Sequence, residues 1–112
     1  MTSTPRLEIV EAQALSLLGL VNYQDGSVVS RVILKRDKGN VTVFAFDQGQ
    51  GLSEHTSPFD ALIQAVEGEA EITVAGNAMA LKSGEVLLLP ANKPHAVKAT
   101  TRFKMVLTMI RA

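Results

Sequence analysis

From Tyr23 onward a glycine or a turn cluster cuts the chain every few residues, and the apolar residues between the cuts come only in short bursts. Bursts of that length suit strands and leave little room for helices. Val28–Lys35 is rich in β-branched residues and lies between Asp25-Gly26 and Asp37-Lys38-Gly39-Asn40. Val41–Phe46 follows at once, which predicts a hairpin. Asp47–Ser57 carries two glycines and no apolar period, and reads as the longest loop. Ala61–Val66, Glu69–Val74, Ala78–Leu81 and Val86–Leu89 are the next short strands, and His95–Ala99 and Phe103–Ile110 are the last pair. In the final strand Phe103, Met105, Leu107 and Met109 alternate with Lys104, Val106, Thr108 and Ile110, so the odd positions should face the interior. Glu11–Gly19 is the one helical-looking stretch, with Ala12, Leu15, Leu18 and Gly19 at helix spacing. The pattern is all-β, and period 2 alone does not choose between a sandwich and a barrel.

Composition narrows the function classes. A chain of 112 residues that is 46% hydrophobic suits one domain with a real core. Eleven Lys and Arg balance eleven Asp and Glu, so there is no basic field to hold a phosphate backbone, and nucleic acid is not an expected partner. The absence of cysteine excludes disulfides, thiolate metal sites and cysteine nucleophiles. The longest apolar runs are too short to span a bilayer, and Met1–Arg6 is polar with no apolar stretch after a basic region. The expected location is the cytoplasm.

The chain has two histidines, His55 and His95, each at a loop–strand junction. They are the uncharged nitrogen ligands available, so any metal site must use one or both. An arbitrary pair of histidines is more often satisfied by backbone carbonyls than by a metal. The spacing around them changes that balance. Gly49 precedes His55 by six positions, and the segment runs on through Ser57, Pro58, Phe59 and Ala61 to Gly68. Gly84, Pro90, Asn92 and His95 form a second cluster.

These two clusters resemble the two motifs of the cupin superfamily. The resemblance covers Val41 to the C-terminus and implies a double-stranded β-helix, or jelly-roll barrel. Residues 1–27 would form an N-terminal extension with a short helical segment, and residues 28–112 the barrel. In cupins three histidines and a glutamate usually hold one divalent ion such as iron, manganese, nickel or zinc. Carried over by position, His55 and His95 match ligands, whereas Ser57 stands at the second histidine and Ala61 at the glutamate. Asn92 replaces the glycine of the second motif. Two neutral imidazoles lack the charge compensation that a carboxylate gives, so an ion held by them alone should be weakly bound. Glu54 and Asp60 are the carboxylates nearest in sequence, and Gln64 falls on the outer face by period 2.

The expected interior comprises Ala61, Ile63, Ala65, Val97, Phe103, Met105, Leu107 and Met109, with Met79 and Leu81 as further candidates. Most of these fill the core, and methionines there also suit a small, partly apolar ligand. Phe59 is the candidate aromatic at the pocket mouth. The expected ligand-binding set is therefore His55, His95, Ser57, Phe59, Ala61, Ile63 and Met105. The expected function is binding of a small organic molecule, with a weakly held divalent metal at the reduced two-histidine site. The alternative is a metal-dependent dioxygenase, isomerase or lyase acting on a small organic acid. A homodimer is expected, formed through the apolar residues Val28, Val29, Val32, Ile33 and Leu34.

Overall fold

The computed structural model describes residue 9 and residues 11–112. Of the extension expected over 1–27, residues 1–8 and 10 lie outside the described residues. Nine strands run in the order β1 (Val28–Arg36), β2 (Gly39–Phe46), β3 (Gly51–His55), β4 (Asp60–Glu67), β5 (Glu69–Val74), β6 (Asn77–Lys82), β7 (Val86–Leu89), β8 (His95–Ala99) and β9 (Phe103–Ile110). They form two antiparallel sheets, ordered β1-β2-β9-β4-β7 and β3-β8-β5-β6. The predicted β1–β2 hairpin is present, with Arg36 opposite Gly39.

Three expectations are corrected. The barrel is not closed: among the described residues no ladder joins the two sheets, which keep β1, β7, β3 and β6 as edges. Alternation marks which face of a strand is buried and is the same in a sandwich and a barrel, so the expectation of closure rests on the resemblance alone. The helical segment over Glu11–Gly19 is absent, and a single 3-10 turn at Leu18–Leu20 takes its place. Ala12 sits in the left-handed region, φ 53°, which interrupts any right-handed helix there. Asp47–Ser57 is not one loop, because it contains β3. That strand is mostly exposed along its length, so it carries no apolar alternation to betray it.

The core lies between the sheets. Phe46, Phe103, Ile63, Ile72, Leu89 and Met105 are its large, fully buried side chains, and Phe46 stacks with Phe44 and tilts against Phe103 at centroid distances of 5.7 and 5.8 Å. Ala61, Ala65, Leu81 and Val97 join it as expected, and Leu107 and Met109 pack at its margin. Met79 does not, being 37% exposed near the β6 edge.

A second cluster covers part of the outer face of the five-stranded sheet. Val21 packs with Val43 and Ala45, and Leu20, Tyr23, Val29 and Ile33 lie against them. Polar contacts fasten this segment. Buried Lys104 donates to the Leu18 carbonyl at 2.7 Å and lies over the Tyr23 ring, whose other cationic neighbour is Arg102. Arg102 also pairs with Asp25 and Asp47 at 2.8 and 3.0 Å. The Tyr23 hydroxyl donates to Glu67, and burial, followed by that carboxylate, pushes the phenol well above its ordinary range.

Candidate functional site

His55 closes β3 and His95 opens β8, and these strands are neighbours in the four-stranded sheet. Their ladder begins regularly, with Gly51 opposite Lys98 and Leu52 opposite Val97, and then slips so that His55 stands opposite His95. A regular ladder would place Glu54 there. Leu52 packs on the core, so strict alternation would also turn Glu54 inward and His55 outward. The bulge adds one residue and exchanges them. Gly51 permits the close approach that starts the ladder, because a Cβ there would overlap the Val97 carbonyl.

The ring hydrogens follow from the backbone. His55 Nδ1 lies 2.7 Å from the Ser53 carbonyl oxygen, and His95 Nδ1 lies 3.1 Å from that of Lys93. A carbonyl oxygen only accepts, so each Nδ1 carries the hydrogen. The neutral rings then present bare lone pairs at Nε2, and these two atoms are 3.1 Å apart, with ring centroids at 4.3 Å. Lone pairs this close repel unless a shared proton or a cation lies between them. An Nδ1–H bond to a carbonyl is also what orients a metal-ligating histidine. The expected convergence of the two histidines is met, with His95 only 8% exposed and His55 on the open side.

The donor set fits an ion only in part. Two bonds of ~2.0–2.1 Å to a tetrahedral ion hold their nitrogens about 3.3 Å apart, close to the observed separation. Yet among the described residues no group of three or more His, Cys, Asp or Glu could hold a metal. The Ser57 hydroxyl accepts from the Phe59 amide at 3.2 Å, and Ala61 has no donor. Glu54 is exposed, Asp60 accepts from the Ala91 amide at 2.9 Å, and Gln64 is exposed, as period 2 requires of an outer-face residue. The arrangement is a two-histidine contact suited to a loosely held metal or a small molecule.

The rest of the neighbourhood comes from register. Ala61 pairs with Met109, Ile63 with Leu107, and Met105 with Phe44 and Ala65, and Ala61, Ile63 and Met105 are buried in the core between the sheets. Val74 pairs with His95. Phe59 is half-buried beneath the Arg111 guanidinium, 5.4 Å from the ring centroid. Sequence reasoning missed Asn40 and Thr42. They share the parity of Phe44 and Phe46 on β2, pair with Met109 and Leu107, and put two neutral polar groups on the inner face of the sheet, the Thr42 hydroxyl donating to the Asn40 side-chain oxygen at 3.4 Å. That shared parity was the signal available.

Comparison with known proteins agrees with this geometry. The Cupin domain family model matches residues 42–111, a span that includes both histidines. No curated protein matches. Among solved structures, a conserved Streptococcus pyogenes protein of unknown function is 32% identical with a TM-score of 0.89, over 94% of this chain and 92% of that one. A cupin superfamily protein from Desulfitobacterium hafniense is 28% identical with a TM-score of 0.87, over 98% and 100%. A cupin 2 conserved barrel domain protein from Leptotrichia buccalis is 37% identical with a TM-score of 0.84, over 87% of this chain and 47% of that one. The spacing of the two motifs, the strands that bring their histidines together and the family match converge on one assignment: this chain belongs to the cupin family.

Proposed function

We propose that the protein binds a small, partly apolar organic molecule at the open end between the sheets, against His55 and His95. The observation that carries this reading is the convergence of two bare Nε2 atoms at 3.1 Å, with the ring centroids 4.3 Å apart. The histidines offer acceptors to a ligand hydroxyl or acid proton, or two ligands to a divalent ion such as iron, manganese, nickel or zinc. A bound ion would supply a Lewis-acidic point for a ligand oxygen. His55 and His95 would hold it, and their Nδ1–H bonds would keep both rings in the ligating tautomer. Ser57, Phe59, Ile63 and Met105 complete the proposed ligand surroundings.

The converging lone pairs also favour a second reading, a metal-dependent dioxygenase, isomerase or lyase acting on a small organic acid. One experiment separates the two. The protein is titrated with divalent zinc, nickel and manganese, then incubated with a panel of small organic acids while binding and turnover are followed. The binding reading expects weak, chelator-reversible metal uptake that is lost in His55→Ala, with acids bound unchanged. Metal-dependent conversion of an acid would establish the enzyme instead. Metal uptake and acid binding both unaffected by His55→Ala would refute both readings.

A further inference from the structure

Two links between the sheets meet where the histidines lie. Residues 56–59 lead from β3 to β4, and residues 90–94 lead from β7 to β8. They are tied together by the Asn92 amide, which donates to the Ser57 carbonyl at 2.7 Å, and by the Ala91 amide, which donates to the Asp60 carboxylate at 2.9 Å. The end of β3 with His55, the start of β8 with His95 and the start of β4 therefore share one end of the molecule. Asp60 pairs with Ile110 and Ile110 with Gly39, so the end of β9 and the start of β2 are there too. The Arg111 amide donates to the Lys38 carbonyl at 2.8 Å, which carries the β2–β9 ladder one residue further.

Phe59 lies two residues before Ala61, and Arg111 two residues after Met109, the paired residues that pack in the core. Period 2 brings both to the inner side at the rim, and their contact at 5.4 Å agrees with that placement. The ring is itself fastened, because the Phe59 amide donates to the Ser57 hydroxyl at 3.2 Å. The guanidinium is anchored by its Nε, which donates to the Asp37 carbonyl at 3.3 Å. Among the described residues nothing engages its two terminal nitrogens, and no carboxylate pairs with it. A planar fork with a fixed stem and two free donors is the shape that takes a carboxylate through parallel hydrogen bonds.

We propose that Arg111, held over Phe59, grips the carboxylate of a small organic acid whose far end reaches His55 and His95. The inference rests on the ligand site proposed above and names its ligand class. Charge selects that class. Asn40, Met109 and Ala61, paired across the inner face, are neutral, and Ala61 stands where the family motif carries a glutamate that would repel an acid. The chain's own carboxylates at this end, Asp37, Glu54 and Asp60, are all exposed, and Asp60 lies on the outer face and is engaged with the Ala91 amide. Lys38 and Lys93 offset two of these three charges, which leaves the arginine to meet the ligand.

Side-chain NMR of the metal-free protein, with 4-hydroxybutanoate and its uncharged amide as probes, tests the proposal. The acid is expected to shift the Arg111 Nε–H resonance and both imidazoles on one curve, and the amide to bind about tenfold more weakly. Arg111→Gln should weaken acid binding by a similar factor, and Arg111→Lys, which keeps the charge and loses the fork, should recover only part of it. Should Arg111→Gln fail to fold, Phe59→Leu is expected to weaken the acid several-fold and leave the amide unchanged. Equal binding of acid and amide, no shift at Arg111, or full acid affinity in Arg111→Gln overturns the proposal. Arg111-dependent binding that leaves both imidazoles unmoved and survives His55→Ala sustains the carboxylate grip and refutes the ligand site at the histidines instead.

Discussion

The Asn92 amide donates to the Ser57 carbonyl at 2.7 Å, which ties the loop entering His95 to the loop leaving His55. Asn92 makes this bond from the left-handed region, φ 65°, a conformation that asparagine tolerates and glycine adopts freely. The glycine of the family motif and the asparagine found here thus answer the same backbone demand. Asn92→Gly should leave thermal stability and metal binding close to wild type. Asn92→Val should cost about 1–2 kcal/mol by forcing a β-branched residue into that region. Thermal unfolding of both variants checks this, and equal losses would show that the asparagine side chain matters more than its backbone conformation.

Much of the fold was legible because its strands are half-buried. Phe103, Met105, Leu107 and Met109 announce their inner face by alternation, and the ladders place them there. β3 was hidden because an exposed edge strand of Gly-Leu-Ser-Glu-His has no apolar face to repeat. Closure is not legible in the sequence because it depends on hydrogen bonds between sheet edges, which side-chain periodicity does not encode. At the site, motif spacing located both histidines. The bulge that turns His55 rather than Glu54 toward His95 is a register effect between distant strands, invisible in either segment alone.

Gly51 should be more sensitive than its exposed position suggests. A side chain there meets the Val97 carbonyl, pushing β3 away from β8 at the start of the ladder that aligns the histidines. Gly51→Val should destabilise the fold by about 1–3 kcal/mol. It should also weaken metal binding with both imidazoles intact, as read by denaturant unfolding and metal titration.

The Asp47 clamp gives the fold an acid limit. The Gly26 amide, and after it Arg102, holds the Asp47 carboxyl below its ordinary range. A carboxylate with a depressed folded-state value stabilises above its unfolded value of ~3.9 and loses that contribution as pH falls through the folded value. Asp47→Asn should therefore lower Tm relative to wild type at neutral pH, and the difference should shrink below pH ~4. A difference that stays constant into acid would place the effect elsewhere.

Restoring the family ligands should strengthen the site. Ser57→His together with Ala61→Glu supplies the missing imidazole and carboxylate, and should tighten divalent metal binding by more than about tenfold. Calorimetric titration of wild type and the double variant reads the difference.

The central claim is that His55 and His95 form one site through their Nε2 atoms. With two histidines in the chain, nitrogen-15 NMR of selectively labelled imidazoles tests it directly. At mildly alkaline pH the account predicts that both rings are protonated at Nδ1, and that divalent zinc shifts both Nε2 resonances together on a single binding curve. A ring protonated at Nε2, or zinc shifting one histidine without the other, would contradict it.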